Sequence, residues 1–350
     1  MSNAPKGIIN LGNTCYLNAC IQILSVLEPL WVIMQKYNDS RNRTCIESPL
    51  WKQWKNIMFI MKSAGNSTES LYPNGFFSTL QQIAKQKKFD CFEKNSQEDV
   101  SEFIHFFFSS LHSCIKEPYS ISIQGQIQNN IDKIALPVCQ YLQNIYEKDE
   151  YSMITELSSG VMIHCIDSIN KTVENEYLSL KPEVFTVLNL PIPSLSSVNP
   201  HIPFSIYDCL DHFSNVEKLE NENAWFNEKT NQKENVNKYI RFWNFPKVLW
   251  ISINRSSYDG KKYMNLITFP LELDLTQYCM GYKRRENVFE LVGICNHIGT
   301  VDNGHYTSFV QKEEKWYYCD DTTIQSVEDT KHLETRYASC LIYVKKNSIV

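Results

Sequence analysis

From Cys15 onward the apolar positions Leu17, Cys20, Ile21, Leu24 and Leu27 recur at helical spacing, and Pro29 follows where a helix would end. The same period predicts helices over 51–61 and 76–83. It is clearest over 96–111, where Val100, Phe103, Ile104 and Phe107 share one face and Ser96, with Asp99 three residues on, can cap the start. In the second half the period shortens. The runs 184–193, 247–254, 288–296, 305–310, 315–319 and 339–344 are short and rich in β-branched and aromatic residues, so they read as strands. The stretch 221–238 is polar and Asn- and Glu-rich, broken by Trp225 and Phe226, which predicts a loop or an exposed hairpin tip. A helical first part followed by a mostly antiparallel sheet is an α+β arrangement.

Composition narrows what such a chain can be. With 43% hydrophobic and 13% aromatic residues over 350 positions, it can build one large core or two ordinary ones, and global disorder is excluded. The net charge of −5 offers no broad basic surface for nucleic acid. No apolar run reaches the roughly 18 residues of a membrane span. No apolar segment follows a basic one at the start, so the expectation is an intracellular protein, cytoplasmic or nuclear, with no membrane association. The 12 cysteines are scattered without a Cys-x-x-Cys pair, which predicts reduced thiols, mostly buried, and removes the usual zinc spacings.

Glycine is scarce, so its placement carries information. Five of the 11 glycines, Gly7, Gly12, Gly293, Gly299 and Gly304, fall in two windows at opposite ends of the chain. In the first, Asn10-Leu11-Gly12-Asn13-Thr14-Cys15-Tyr16 delivers a cysteine to the first turn of a helix, with Thr14 or Asn13 available as cap. Unpaired N–H groups there favour a thiolate and can receive a developing oxyanion. In the second, Gly304-His305-Tyr306 opens one strand and Asp320-Asp321 closes the next, which can bring imidazole and carboxylate together across a hairpin. Thiol, imidazole base and acidic orienter form the general arrangement for cysteine acyl transfer.

Taken together, these windows resemble the cysteine and histidine boxes of the ubiquitin-specific proteases, the first over 7–18 and the second over 297–321. Gln97-Glu98-Asp99-Val100-Ser101-Glu102-Phe103-Ile104 is similar to a helix motif of the same family, and weaker echoes extend the resemblance from Gly7 to about Val344. The resemblance implies a papain-like cysteine peptidase with helical thumb, β-rich palm and β fingers. It implies one catalytic domain over 1–350, with the thumb at about 1–130, fingers and palm at about 131–350, and no accessory domain. Its activity would be hydrolysis after the C-terminal Gly-Gly of ubiquitin on protein conjugates. Cys15 then matches the nucleophile, His305 the base, Asp320 the orienting acid, Asn10 the oxyanion donor and Asp321 a second, supporting acid. Ubiquitin's tail ends Arg-Leu-Arg-Gly-Gly, and Asp99 and Glu102 match the acids that meet its arginines, although Asp99 also suits plain helix capping. Gly304 and Tyr306 match the narrow gate beside the Gly-Gly, and 256–265 and 298–303 match the loops bordering the tail cleft.

Two departures qualify the match. Family fingers often carry two Cys-x-x-Cys pairs, but here the positions hold Cys165, Ser168, Asn227 and Thr230, which predicts zinc-less fingers held by residues such as Val161, Ile163 and Phe226. His164 would face away from Cys165 on a strand. Glu98 also replaces a family glutamine. No cofactor is implied. The implied partners are ubiquitin and ubiquitinated proteins, with an activating or targeting protein as one source of substrate choice. The alternatives are a catalytically impaired ubiquitin-binding scaffold, which would have no need to keep Cys15, His305 and Asp320 together, and a protease for a ubiquitin-like modifier, whose Gly-Gly tail chemistry would be the same.

Overall fold

In the computed structural model, residues 4–37, 45–63, 69–89, 91–92, 98–170, 176–193, 202–257, 260–301 and 303–346 are described. Helix α1 (Cys15–Val26) is buried at 11 of its 12 positions, including the polar Asn18 and Gln22. Those two amides reach back to the preceding segment: Asn18 Nδ2 donates to Ile8 O and Gln22 Nε2 to Lys6 O at 2.7 Å. The helix is thus enclosed on all sides, not only on the predicted apolar face.

Around it pack α2 (Glu28–Lys36), α3 (Ser48–Ser63), α4 (Asn74–Gln86) and α5 (Val100–Ile115). Their shared core is aromatic: Trp54 meets Phe107 edge-on at 4.9 Å, and Phe103 stacks on Phe107 at 5.7 Å. Asp99 is the cap of α5, its Oδ1 accepting from the Ser101 and Glu102 N–H groups. Ser96 lies outside the described residues. Helices continue past residue 130 as α6 (Asn130–Asp149) and α7 (Met153–Ser158), and α8 (Ile206–Phe213) follows later. Helix α6 buries only Ile134, Ala135 and Val138 and contains Pro137, so its period is faint; a reciprocal Asn129–Asp132 capping box starts it.

The main sheet runs, in spatial order, through Thr323–Val327, Lys315–Asp320, Gly304–Lys312, Val288–Gly299, Ala338–Lys345, Val248–Asn254 and Val187–Pro191, with Glu272–Asp274 also paired to Val288–Gly299. Only the Val187–Pro191 pairing with Val248–Asn254 is parallel. Alternation sorts its side chains: Val248, Trp250 and Ile342 join the helical core with α1, while Leu249, Ile251, Leu341 and Tyr343 face a second core that includes α8 residues.

A second sheet, ordered Ser179–Phe185, Gly160–Ser168, Val236–Asn244, Glu217–Leu219, projects from the first. Helix α6 packs on it, with Ile134 and Val138 against Val161, Ile163 and Cys165. The run read as one strand over 184–193 divides at Thr186 into strands of two different sheets. Val236–Asn244 likewise leads, after three residues, into Val248–Asn254 of the main sheet. The polar stretch forms a hairpin of Trp225–Asn227 with Gln232–Glu234. Phe226, expected to pack in the fingers, is instead 49% exposed at this hairpin. Cys165 is enclosed in the apolar cluster, Asn227 and Thr230 both donate to Glu234 Oε1, and His164 pairs with Glu183 on the other face. Among the described residues no single helix is long and apolar enough to cross a membrane.

Candidate active site

The loop before α1 and the hairpin after Asp320 are built against each other. A Cβ on Gly7 would lie 2.5 Å from Thr322 O, so only glycine permits the approach. Ile8 N–H donates to Asp321 O at 2.8 Å across the same contact. The loop is also laced internally: Asn10 Oδ1 accepts from the Gly12 N–H, the Thr14 N–H and the Thr14 hydroxyl. Thr14 occupies the cap position of α1 but makes no side-chain cap bond; its Oγ1 accepts from Leu11 N–H instead. The first-turn N–H groups are therefore not consumed by a capping hydroxyl.

Cys15 opens α1 and is 3% exposed. The expected lowering of its pKa is not what the surroundings produce. Burial pushes the Cys15 thiol up, the backbone N–H of Tyr306 opposes this, the Asp321 charge adds to the rise and the Tyr16 N–H opposes it again. An uncharged resting thiol needs a base to take its proton.

Helix α1 packs on Gly304–Lys312, the strand that carries His305. Ser308 pairs with Cys319 across to Lys315–Asp320, so His305 and Asp320 are diagonal neighbours on one face. His305 Nε2 lies 2.6 Å from Asp320 Oδ1, and both side chains are partly exposed. That leaves Nδ1 as the ring nitrogen turned away from the carboxylate. Asp321 has φ of +48° and turns elsewhere: Oδ2 accepts from Asn10 Nδ2 at 2.9 Å and Oδ1 from Asn18 Nδ2 at 2.7 Å. Asn18 stands one turn after Cys15 on α1, a spacing visible in the sequence although no role was read from it.

A cleft of about 430 Å3 adjoins this constellation, its walls including Asp99, Asn189, Ser252, Lys262, His297 and Tyr306. Tyr306 links the two, with its backbone N–H at the thiol and its ring stacked on His297 at 4.5 Å. A Cβ on Gly304 would come within 2.3 Å of His297 Nε2, which explains glycine at that position. Lys262 Nζ reaches His297 O at 2.7 Å and Gly299 O at 3.3 Å, tying together the two loops that border the cleft. Glu102 does not join Asp99 on the cleft wall; it is exposed and accepts a hydrogen bond from the Cys91 thiol at 3.3 Å. That thiol is pushed up to about 12, first by desolvation and then by Glu102. Among the described residues two groups bring ligand-type atoms within 4.8 Å of one another, Cys91–Glu98–Glu102 and His305–Asp320–Asp321. The second is already engaged in the hydrogen bonds above.

A buried thiol at the start of a helix that packs on the strand carrying a carboxylate-held imidazole has the components of acyl transfer through a thioester. The family profile described as ubiquitin carboxyl-terminal hydrolase matches residues 6–343, so the chain belongs to that family. Ubiquitin carboxyl-terminal hydrolase 21 of Homo sapiens is 27% identical over 356 residues, covering 95% of this chain and 60% of its own length. Ubiquitin carboxyl-terminal hydrolase Usp2 of Drosophila melanogaster is 26% identical over 346 residues, 96% of this chain and 34% of that protein. The chain therefore spans well under two thirds of these relatives. A chain of the SAGA Ubp8/Sgf11/Sus1/Sgf73 DUB module bound to ubiquitin aldehyde superposes with a TM-score of 0.72 at 21% identity, covering 98% of this chain and 70% of that one, and it shares the fold.

Proposed function

We propose that this chain is a thiol-dependent deubiquitinase that hydrolyses the bond after the C-terminal glycine of ubiquitin on protein conjugates. The observation that carries the reading is the 2.6 Å contact of His305 with Asp320 on the strand against which the Cys15 helix packs. In this reading Nδ1 of His305 takes the Cys15 proton as sulfur attacks the scissile carbonyl. The Cys15 N–H and the second hydrogen of the Asn10 amide are suited to the resulting oxyanion. Collapse of the tetrahedral adduct expels the substrate amine, which receives the proton from His305. Water, activated by the same imidazole, then releases ubiquitin from the thioester. Asp320 fixes the ring's orientation and tautomer.

Gly304 and Tyr306 form the narrow passage for the Gly-Gly, and Asp99 faces an arginine of the tail. Residues 1–350 act as one catalytic unit, and ubiquitin and its conjugates are the partners. The family membership and the ubiquitin aldehyde-bound neighbour support this choice of modifier. The test is a panel of electrophilic probes built on ubiquitin and on ubiquitin-like modifiers. Labelling at Cys15 by the ubiquitin probe, lost in Cys15→Ala, is expected. Labelling only by another modifier's probe would reassign the substrate, and labelling by none would leave a binding protein.

A further inference from the structure

Away from the thiol, a cavity of about 870 Å3 lies where α7, the connection from the second sheet to the main one, the 279–287 segment and the end of the last strand meet. Its size is that of a small-molecule site. Lys247, Lys283, Arg285, Lys345 and Lys346 line it, against the acids Glu156 and Glu286. The concentration of positive charge runs against the net −5 of the whole chain.

Part of that charge is already paired. Lys247 meets Glu156 at 3.0 Å, Lys283 meets Glu286 at 3.8 Å, and Lys346 is held by Glu272 and Glu290. Arg285 and Lys345 are not: among the described residues no carboxylate reaches either within salt-bridge distance. Lys345 is half-buried over the Phe289 ring; burial pushes its ammonium down, Cys279 and Glu286 oppose this, and Lys283 and Lys247 add like charge beside it. An anion between these cations would relieve that repulsion.

We propose that this cavity binds a compact, multiply phosphorylated small molecule. Its phosphates lie among Arg285, Lys345, Lys247 and Lys283. Cations converging from three chain segments on one concavity suit a compact anion better than an extended acidic peptide. The Trp243 and Tyr282 rings, edge-to-face at 5.5 Å, form part of the wall and offer a planar surface to a ring-bearing ligand.

Calorimetric titration of the full chain with ATP, inositol hexakisphosphate and inorganic tripolyphosphate tests this, with a poly-glutamate peptide as comparator. At about 50 mM salt at least one of the three phosphates should bind saturably at one site, more tightly than the poly-glutamate peptide. The affinity should fall several-fold by about 300 mM salt. Lys345→Gln should weaken binding at least about tenfold. Arg285→Gln, at an exposed position that leaves the fold undisturbed, should weaken it several-fold and decides the matter if Lys345→Gln fails to fold. The proposal is overturned by no saturable binding of any phosphate up to about 1 mM, by affinity unchanged in Arg285→Gln, or by tighter binding of poly-glutamate.

Discussion

Lys262 and His297 sit side by side in a way that keeps one of them neutral: Lys262 Nζ is 3.0 Å from His297 Nδ1. Desolvation first, and then the Lys262 charge, pushes His297 down to about 4. Lys262 is pushed down to about 8, by desolvation and then by Arg255. A neutral imidazole can accept from the ammonium while its ring stacks on Tyr306.

Acid sensitivity follows from that pairing. The unfolded imidazole titrates near its ordinary 6.5 and the folded one near 4, so between these values the unfolded chain binds the additional proton. Stability linked to the neutral imidazole is complete above 6.5 and is lost as pH falls toward 4. After allowance for the half-exposed ring this is worth about 1 kcal/mol. Denaturant midpoints at pH 7.5 and pH 5 should therefore differ less in His297→Gln than in the natural chain. Equal differences in the two proteins would show that the imidazole titrates freely.

The two adjacent aspartates should fail in different ways. Asp320→Ala removes the partner of His305, and kcat should drop roughly 10²–10⁴-fold with little change in melting temperature. Asp321→Ala removes the acceptor of Asn10 and Asn18, one of them buried, so it should lower stability by about 1–3 kcal/mol and reduce kcat less. Paired melting and single-turnover measurements check this. If Asp321→Ala is the more damaging to kcat in a protein that melts normally, the two roles are exchanged.

Asp99 caps α5 and also stands on the cleft wall, and the two functions separate by substitution. Asn is as good a cap as Asp, so Asp99→Asn should leave the melting temperature nearly unchanged while raising KM for ubiquitin substrates. Asp99→Ala should raise KM and also lose about 1 kcal/mol of stability. An unchanged KM in Asp99→Asn would reduce the residue to its capping bond. Because Glu102 points to Cys91, its charge reversal is expected to matter less than that of Asp99.

Elemental analysis of purified protein is expected to find well under one zinc per chain, and a strong chelator should not alter its melting curve. Cys165 is enclosed by apolar side chains, and Asn227 and Thr230 are engaged with Glu234. Stoichiometric zinc, or unfolding on chelation, would mean that other thiols and imidazoles meet on a metal.

Much of this arrangement was legible because chemistry and periodicity coincided. The Cys15 helix and the His305 and Asp320 strands each combined a regular apolar pattern with an unusual glycine or polar residue. Helix α6 was hidden because a helix that buries three residues and contains a proline has almost no apolar stripe. The division at Thr186 was hidden for a different reason. Strand propensity continues through it, and only tertiary pairing assigns the halves to separate sheets. Lys262 carries no local signal either, since its partners lie 35 and 37 residues away. The thiol's raised pKa also lay beyond local reading, because the helix start argues for ionisation and only the packed structure shows how far burial opposes it.

The two strands that pass from the second sheet into the main one make a pair of levers. Ser179–Phe185 continues past Thr186 into Val187–Pro191, and Val236–Asn244 continues into Val248–Asn254, where Asn189 and Ser252 lie opposite one another. Both of those residues stand on the wall of the cleft. A tilt of the outer sheet would accordingly arrive in the cleft as shear between Asn189 and Ser252, carried through connections of only one and three residues. The angle between the two sheets and the spacing across the Asn189–Ser252 wall are therefore set by the same two strand connections.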